Sequence, residues 1–181
     1  LGIPAEPLFR SYAIDTLSYL ALENFIGIAL VEEYCKMKAA KKVAWRHPAF
    51  NYHFDAIVYC VTSALGFAAI ENVFYCVEEG FGLVVSRALL SVPSHAVDGL
   101  IMGYYFGLAK EAELAGDRRR RKRFMRFSVL MPMLTHGFYD FALSLDADWI
   151  LLLFFVFVIA LDIWAYKFVK KQAREDRTLA A

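Results

Sequence analysis

Cysteine is scarce in this chain, with three in 181 residues (Cys35, Cys60, Cys76), and none forms a Cys-x-x-Cys pair. All three lie in apolar runs, so neither a disulfide framework nor a thiolate metal site is expected. No Ser-His-Asp arrangement is recognisable and no His-Glu-x-x-His occurs. A glycine-rich phosphate loop and an internal repeat are missing as well. A net charge of +1 implies no particular partner, because local charge blocks matter more than their sum. The chain opens on Leu1, not Met, which leaves both processing and upstream residues open, and no signal-peptide pattern is read.

What is present is apolar. Hydrophobic residues make up 59% of the chain and aromatics 16%, above the roughly 45–50% of a soluble domain. They cluster in long runs with charges concentrated between them, the pattern of a polytopic membrane protein. The fold expected is all-α: a single membrane-embedded helical bundle over residues 1–181 with about five spans. A lead from Leu1 to Tyr12 holds Pro4 and Pro7. Spans follow at about 13–37, 55–77, 81–109, 127–145 and 149–166. Pro93 should kink or break the third, since proline removes a helix hydrogen bond. Basic residues follow span one (Lys38, Lys41, Lys42, Arg46), separate spans three and four (Arg118 to Arg123, Arg126) and follow span five (Lys167, Lys170, Lys171, Arg174, Arg177). Acidic turns at Glu78-Glu79 and Asp146-Asp148 fall on the other side. The positive-inside rule then puts the basic loops and the C-terminus in the cytoplasm. The Arg-rich run could instead bind nucleic acid or anionic lipid, and it reads as a topology anchor before a nucleic-acid contact.

Four polar groupings interrupt the apolar helices. Charged side chains within a membrane are costly and mark function by default. Glu32 and Glu33 are adjacent near the end of span one, with Lys36 beyond them. Glu32 and Lys36 are spaced i,i+4, the favourable order for a helical ion pair, which leaves Glu33 without a local partner. In span two, Phe67, Glu71 and Tyr75 share a face and Asn72 adjoins it. An isolated acid could serve packing alone there, bonded to Asn72 or Tyr75. Span three holds His95 with Asp98 at i+3, where the bland alternative is a core histidine satisfied by that aspartate. Span four holds His136 with Asp140 at i+4, a carboxylate placed to orient the ring for chemistry or for a metal. The other histidines, His47 and His53, flank a cytoplasmic loop. The available set of Glu, His and Asp suits water activation better than a covalent nucleophile.

The order Glu32-Glu33-x-x-Lys36, Phe67-x-x-x-Glu71-Asn72, His95, His136-x-x-x-Asp140 resembles the PrsW family of intramembrane proteases, relatives of the CAAX prenyl endopeptidases and Abi proteins. Asp55, Tyr75, Arg87 and Gly103 also resemble family positions, whereas Ala56 stands where the pattern has glycine. The resemblance implies a prokaryotic integral plasma-membrane endopeptidase. Its substrate would be a single-span membrane protein, an anti-sigma factor in the best-known family role, with membrane lipid and no nucleic acid as further partners. It also implies catalytic residues at Glu32, Glu33, Glu71, His95, His136 and Asp140, supported by Lys36, Asn72, Tyr75, Arg87 and Asp98. A divalent metal such as zinc could sit at Glu71, His95 and His136, or glutamate alone could activate water. The mechanism expected has Glu33, assisted by Glu32, acting with His95 on water, and His136 stabilising the oxyanion or binding a metal that does so. Without the resemblance, a proton or divalent-metal transporter competes evenly, and a non-catalytic scaffold is a third alternative. A depth mismatch of roughly 10 Å between Glu33 and Glu71, at 1.5 Å per residue, is resolved if the first helix runs past Lys38 and the second starts below the lipid boundary, or if a helix is broken; the former is expected.

Overall fold

The computed structural model describes residues 16–145 and 148–179. The proline-bearing lead, the start of the first expected span and Asp146 of the second acidic turn lie outside the described residues. The described residues are all-α, with no strand among them and one isolated bridge, Tyr52 to Thr178. Helix α1 (Thr16–Leu22) passes through a π-helical stretch (Glu23–Ala29) into α2 (Leu30–Ala44). Then come α3 (His53–Glu79), α4 (Phe81–Leu114), α5 (Arg118–Leu143) and α6 (Asp148–Arg174). The first helix therefore does continue past Lys38, to Ala44. Pro93 lies inside α4, which runs unbroken through it, so the third expected span is not broken there.

Helix α4 is the centre of the bundle. Gly80, at φ 87°, turns the chain from α3 into α4; a positive φ is costly for any residue with a Cβ. The two helices then run antiparallel in close contact. A Cβ on Gly103 would lie 2.5 Å from the Ile57 Cα. That approach is what the small residue permits, as small residues do in membrane helix packing. Asp55 acts locally, at the start of α3. Its Oδ2 accepts from the Asn51 and Tyr52 backbone N–H groups at 3.0 and 2.7 Å and so caps the helix.

The basic end is closed by an aromatic cluster. Trp45 meets Phe106 edge-on at 4.8 Å, and Phe50 stacks on Phe106 at 5.9 Å. The C-terminal tail is stitched over this end: His53 N–H donates to the Arg177 carbonyl at 2.9 Å and Leu179 N–H to the Asn51 carbonyl at 2.8 Å. Large apolar side chains on α3 and α6 point outward, with Val77 82% and Leu152 67% exposed. Among the described residues, two helices are long and apolar enough to cross a membrane by composition, over His53–Glu78 and Asp148–Arg174. α2, α4 and α5 carry most ionisable residues of the polar cluster and the basic block, although α3 itself carries Glu71.

The Gly103 contact yields a matched comparison. Gly103→Ala must displace α3 backbone and should cost ~1–3 kcal/mol. Gly66→Ala meets nothing within 4 Å and should be neutral or mildly stabilising. Thermal unfolding in detergent checks this, and equal midpoints would count against the close approach.

Candidate active site

The four polar groupings meet. α2 supplies Glu32, Glu33 and Lys36; α3 supplies Phe67, Glu71, Asn72 and Tyr75; α4 supplies Arg87, His95 and Asp98; α5 supplies Thr135, His136 and Asp140. They surround a cavity of about 390 Å³ whose lining includes Glu32, Glu71, His95, Asp98, His136 and Asp140. Glu33 and Lys36 lie behind that wall, both fully buried.

The expected i,i+4 ion pair forms, but Glu33 is paired as well and more closely. Lys36 Nζ is 2.6 Å from Glu33 Oε1 and 3.5 Å from Glu32 Oε2. Both spacings place a partner on one helix face, but the lysine turns inward, and there the buried carboxylate is the closer one. Glu33 is therefore locally partnered. Glu32 faces the cavity and keeps Oε2 without a hydrogen bond.

Lys36 also fixes His95. An ammonium has three donors and no acceptor, and its Nζ lies 3.0 Å from His95 Nδ1. Nδ1 must accept, so Nε2 carries the ring proton and donates to Glu71 Oε2 at 3.0 Å. Glu71 is held from its other side by Arg87, 2.7 Å from Oε1. Arg87 also donates to Asn72 Oδ1 at 2.9 Å and covers the Tyr75 ring at 3.9 Å. The supporting residues of α3 and α4 thus form one brace around Glu71. Phe67 lies under the Lys36 ammonium at 4.7 Å.

His136 lies between two acids. Its Nδ1 is 2.8 Å from Glu33 Oε1 and its Nε2 3.1 Å from Asp140 Oδ2, with Glu32 Oε2 at 3.7 Å. Both ring nitrogens face carboxylates, so both act as donors. The His95 and His136 rings meet edge-on at 5.2 Å. Asp98 does not satisfy His95 as the i+3 spacing suggested. It accepts from Thr135 Oγ1 at 2.6 Å, across to α5.

Two residues were not singled out as site residues in the sequence. Asn24, buried on the π-helical stretch, donates to the Leu20 carbonyl at 2.8 Å and to Ser144 Oγ at 3.2 Å, and both Asn24 and Ser144 line the cavity. Their only signal was a polar residue in an apolar run. A π-helical turn is a common device near functional sites; here it also presses Phe25 onto Gly137, where a Cβ would lie 2.5 Å from the ring.

Residues 4–164 match the family described as PrsW family intramembrane metalloprotease. The chain belongs to the PrsW family. The curated Protease PrsW of Oceanobacillus iheyensis is 36% identical over 172 residues, covering 93% of this chain and 77% of that protein. That of Geobacillus kaustophilus is 38% identical over 129 residues, 71% of this chain and 55% of that protein. That of Bacillus subtilis is 37% identical over 137 residues, 75% and 61% respectively. The chain thus spans between about half and three quarters of the length of these relatives. No solved structure matches it. An intramembrane protease family and an outward-facing apolar surface together make this PrsW chain an integral membrane protein.

The family description implies a metal, and the donors divide into two sets. Glu33, His95, Asp98 and His136 offer ligand atoms within 4.8 Å of one another, as do Glu32, Glu71 and His95. Glu71 and His136 do not fall in one set, so the trio expected from the sequence is split. Lys36 already contributes a cation to the inner set, on Glu33 and His95. The outer set suits a divalent ion better. It combines carboxylate oxygens with an imidazole, beside a cavity that leaves room for water, and the buried Glu32 Oε2 has no hydrogen bond, only the longer ion-pair contacts to Lys36 and His136.

Breaking the inner pair has a defined cost. Lys36→Met should destabilise the protein by about 3–5 kcal/mol by leaving a buried carboxylate uncompensated. Glu33→Gln added to it should restore much of that loss in detergent unfolding. An equal loss in both variants would show that Glu33 is not the group left unpaired.

Proposed function

We propose that this chain is a single membrane-embedded endopeptidase domain that hydrolyses a peptide bond of a membrane-anchored, single-span protein, with anti-sigma-factor cleavage as the family role. The observation that carries this is the convergence of Glu32, a cavity-lining carboxylate with an oxygen free of hydrogen bonds, on the imidazoles of His95 and His136; Asp98, which also lines the cavity, likewise keeps Oδ2 without a hydrogen bond. Five spans, the third kinked at Pro93 ahead of His95, and a cytoplasmic C-terminus are part of the proposal.

Glu32 takes the proton from a water in the cavity as the water oxygen attacks the scissile carbonyl. The Nε2–H groups of His95 and His136, which donate to Glu71 and Asp140 without substrate, turn from those carboxylates to the oxyanion as it forms, with Lys36 and Glu33 holding the rings from behind. As the carbon–nitrogen bond breaks, Glu32 returns the proton to the leaving amine, the usual acid–base exchange of a carboxylate. Glu33 is thereby moved from water activation to holding His136. In a metal-bound form Glu32, Glu71 and His95 would hold the divalent ion, His95 through an Nε2 that has given up its proton, and Glu32 would then be a ligand and not the base. When bound, such an ion supplies Lewis-acid polarisation of the carbonyl and a more acidic water.

The rival transporter reading needs polar groups continuing to both faces. The Trp45, Phe50 and Phe106 cluster at the basic end supports a cavity closed on that side. Non-catalytic scaffolding leaves the aligned donors unused.

In proteoliposomes with a single-span substrate, Glu32→Gln and His136→Ala should each lower the cleavage rate by about a hundred-fold or more, with membrane insertion retained. Asp140→Asn should lower it less, because it orients and does not react. Loss of cleavage on exhaustive chelation, restored by zinc, would assign the metal-assisted form, and survival would assign the carboxylate-only form. Near wild-type cleavage by Glu32→Gln would remove Glu32 from the mechanism.

A further inference from the structure

The polar cavity uses one side of α2 and α5. At the basic end of the same two helices lies a second cavity, of about 540 Å³, that the proposed hydrolysis does not use. Its floor is apolar: Met37 and Val129 are almost completely buried, with Met125 beside them. Its rim is cationic, formed by Lys41 of α2 and Arg121, Lys122 and Arg126 of α5, and no acidic side chain lines it. Arg121 is engaged by Glu113 at 2.9 Å. Among the described residues, Lys122 and Arg126 have no ion-pair partner, and both are exposed.

Lys122, Arg126 and Leu130 follow one another at four-residue steps, and Leu130 also lines the slot. Along this row α5 passes from charge to apolar surface in about 12 Å, at 1.5 Å per residue. The exposed Leu134 continues the apolar part. A topology anchor requires only exposed positive charge at the boundary. It requires no slot between two helices and no buried apolar floor beneath the cations.

We propose that this slot binds one anionic phospholipid, with its phosphate headgroup on Lys122 and Arg126, flanked by Lys41, and an acyl chain against Met37, Met125 and Leu130. Basic pockets between membrane helices on the cytoplasmic side suit such headgroups. A nucleic acid would use the charges but leave the apolar floor without a partner. The proposal depends on the membrane location of this end and not on proteolysis, so its test reads binding alone.

The delipidated full chain in neutral detergent is titrated with phosphatidylglycerol or with phosphatidylcholine of identical acyl chains, and retained lipid is counted by native mass spectrometry. One phosphatidylglycerol should be retained, and phosphatidylcholine should not. Lys122→Gln with Arg126→Gln should weaken retention by roughly tenfold or more, from about one kcal/mol per basic residue. Lys171→Gln with Arg174→Gln removes the same charge from α6 and should leave retention unchanged. Equal retention of the two lipids, or equal weakening by the two variant pairs, would overturn the site. So would tighter binding of a single-stranded oligonucleotide, which would reassign the patch to nucleic acid.

Discussion

The buried ammonium of Lys36 is the interaction on which the rest of the site depends. Five carboxylates, those of Glu32, Glu33, Glu71, Asp98 and Asp140, come together inside an apolar bundle with two imidazoles. Without a resident cation their mutual repulsion and desolvation would oppose folding. Lys36 sits 2.6 Å from Glu33 and 3.0 Å from His95, so one side chain both neutralises α2 and ties it to α4. Its backbone carbonyl accepts from Ser63 Oγ at 2.9 Å, which ties α2 to α3 as well. On the far side, Arg87 plays the corresponding part for Glu71. Two cations, one behind the cavity wall and one at its edge, let acids from separate helices share the space.

Burial then separates two adjacent, chemically identical acids. Glu33 points into the bundle, where Lys36 and His136 both donate to one of its oxygens. A carboxylate so held is a poor proton acceptor for water and a good orienter of a ring. Glu32 is one residue, about 100° of helix, away. That rotation brings it to the cavity with an oxygen to spare. Adjacent acids on a helix cannot share a face, so the doublet supplies one structural and one cavity-facing carboxylate.

Much of this was legible in the sequence for a simple reason: ionisable residues are rare in apolar helices, so each of the four groupings announced itself. The all-α class, the membrane setting and the meeting of Glu71, His95 and His136 with the doublet follow from that contrast. The pairing within the cluster was not legible. Spacings of three and four residues both permit an ion pair, and sequence does not say which way Lys36 turns. Asp98 looked like the partner of His95 because it is near in sequence, but Thr135 on another helix is nearer in space. The contact between Asn24 and Ser144 escaped notice for the same reason, its partners being 120 residues apart and joined only by the fold. The π-helical turn that places Asn24 has no sequence period of its own.

Depth was the remaining conflict, and its resolution joins the two ends of the molecule. One way for Glu33 to reach the other groupings was for α2 to extend beyond its first lysines, and it does, to Ala44. The extension carries Lys41 and Lys42 away from the polar cavity toward the basic face and brings Lys41 beside the first turns of α5. α5 in turn runs from its arginines down to His136 without interruption. The two helices that place Glu32, Glu33, Lys36 and His136 are therefore the same two that hold the basic slot. From Arg126 to His136 is ten helical steps, about 15 Å. Pro132 lies within this stretch and removes one helix hydrogen bond, but the helix continues through it and links displacement at one end to the other. Whatever sets the spacing of α2 and α5 at the basic face also bears on the distance between Glu33 and His136, and through it on the ring that faces the cavity.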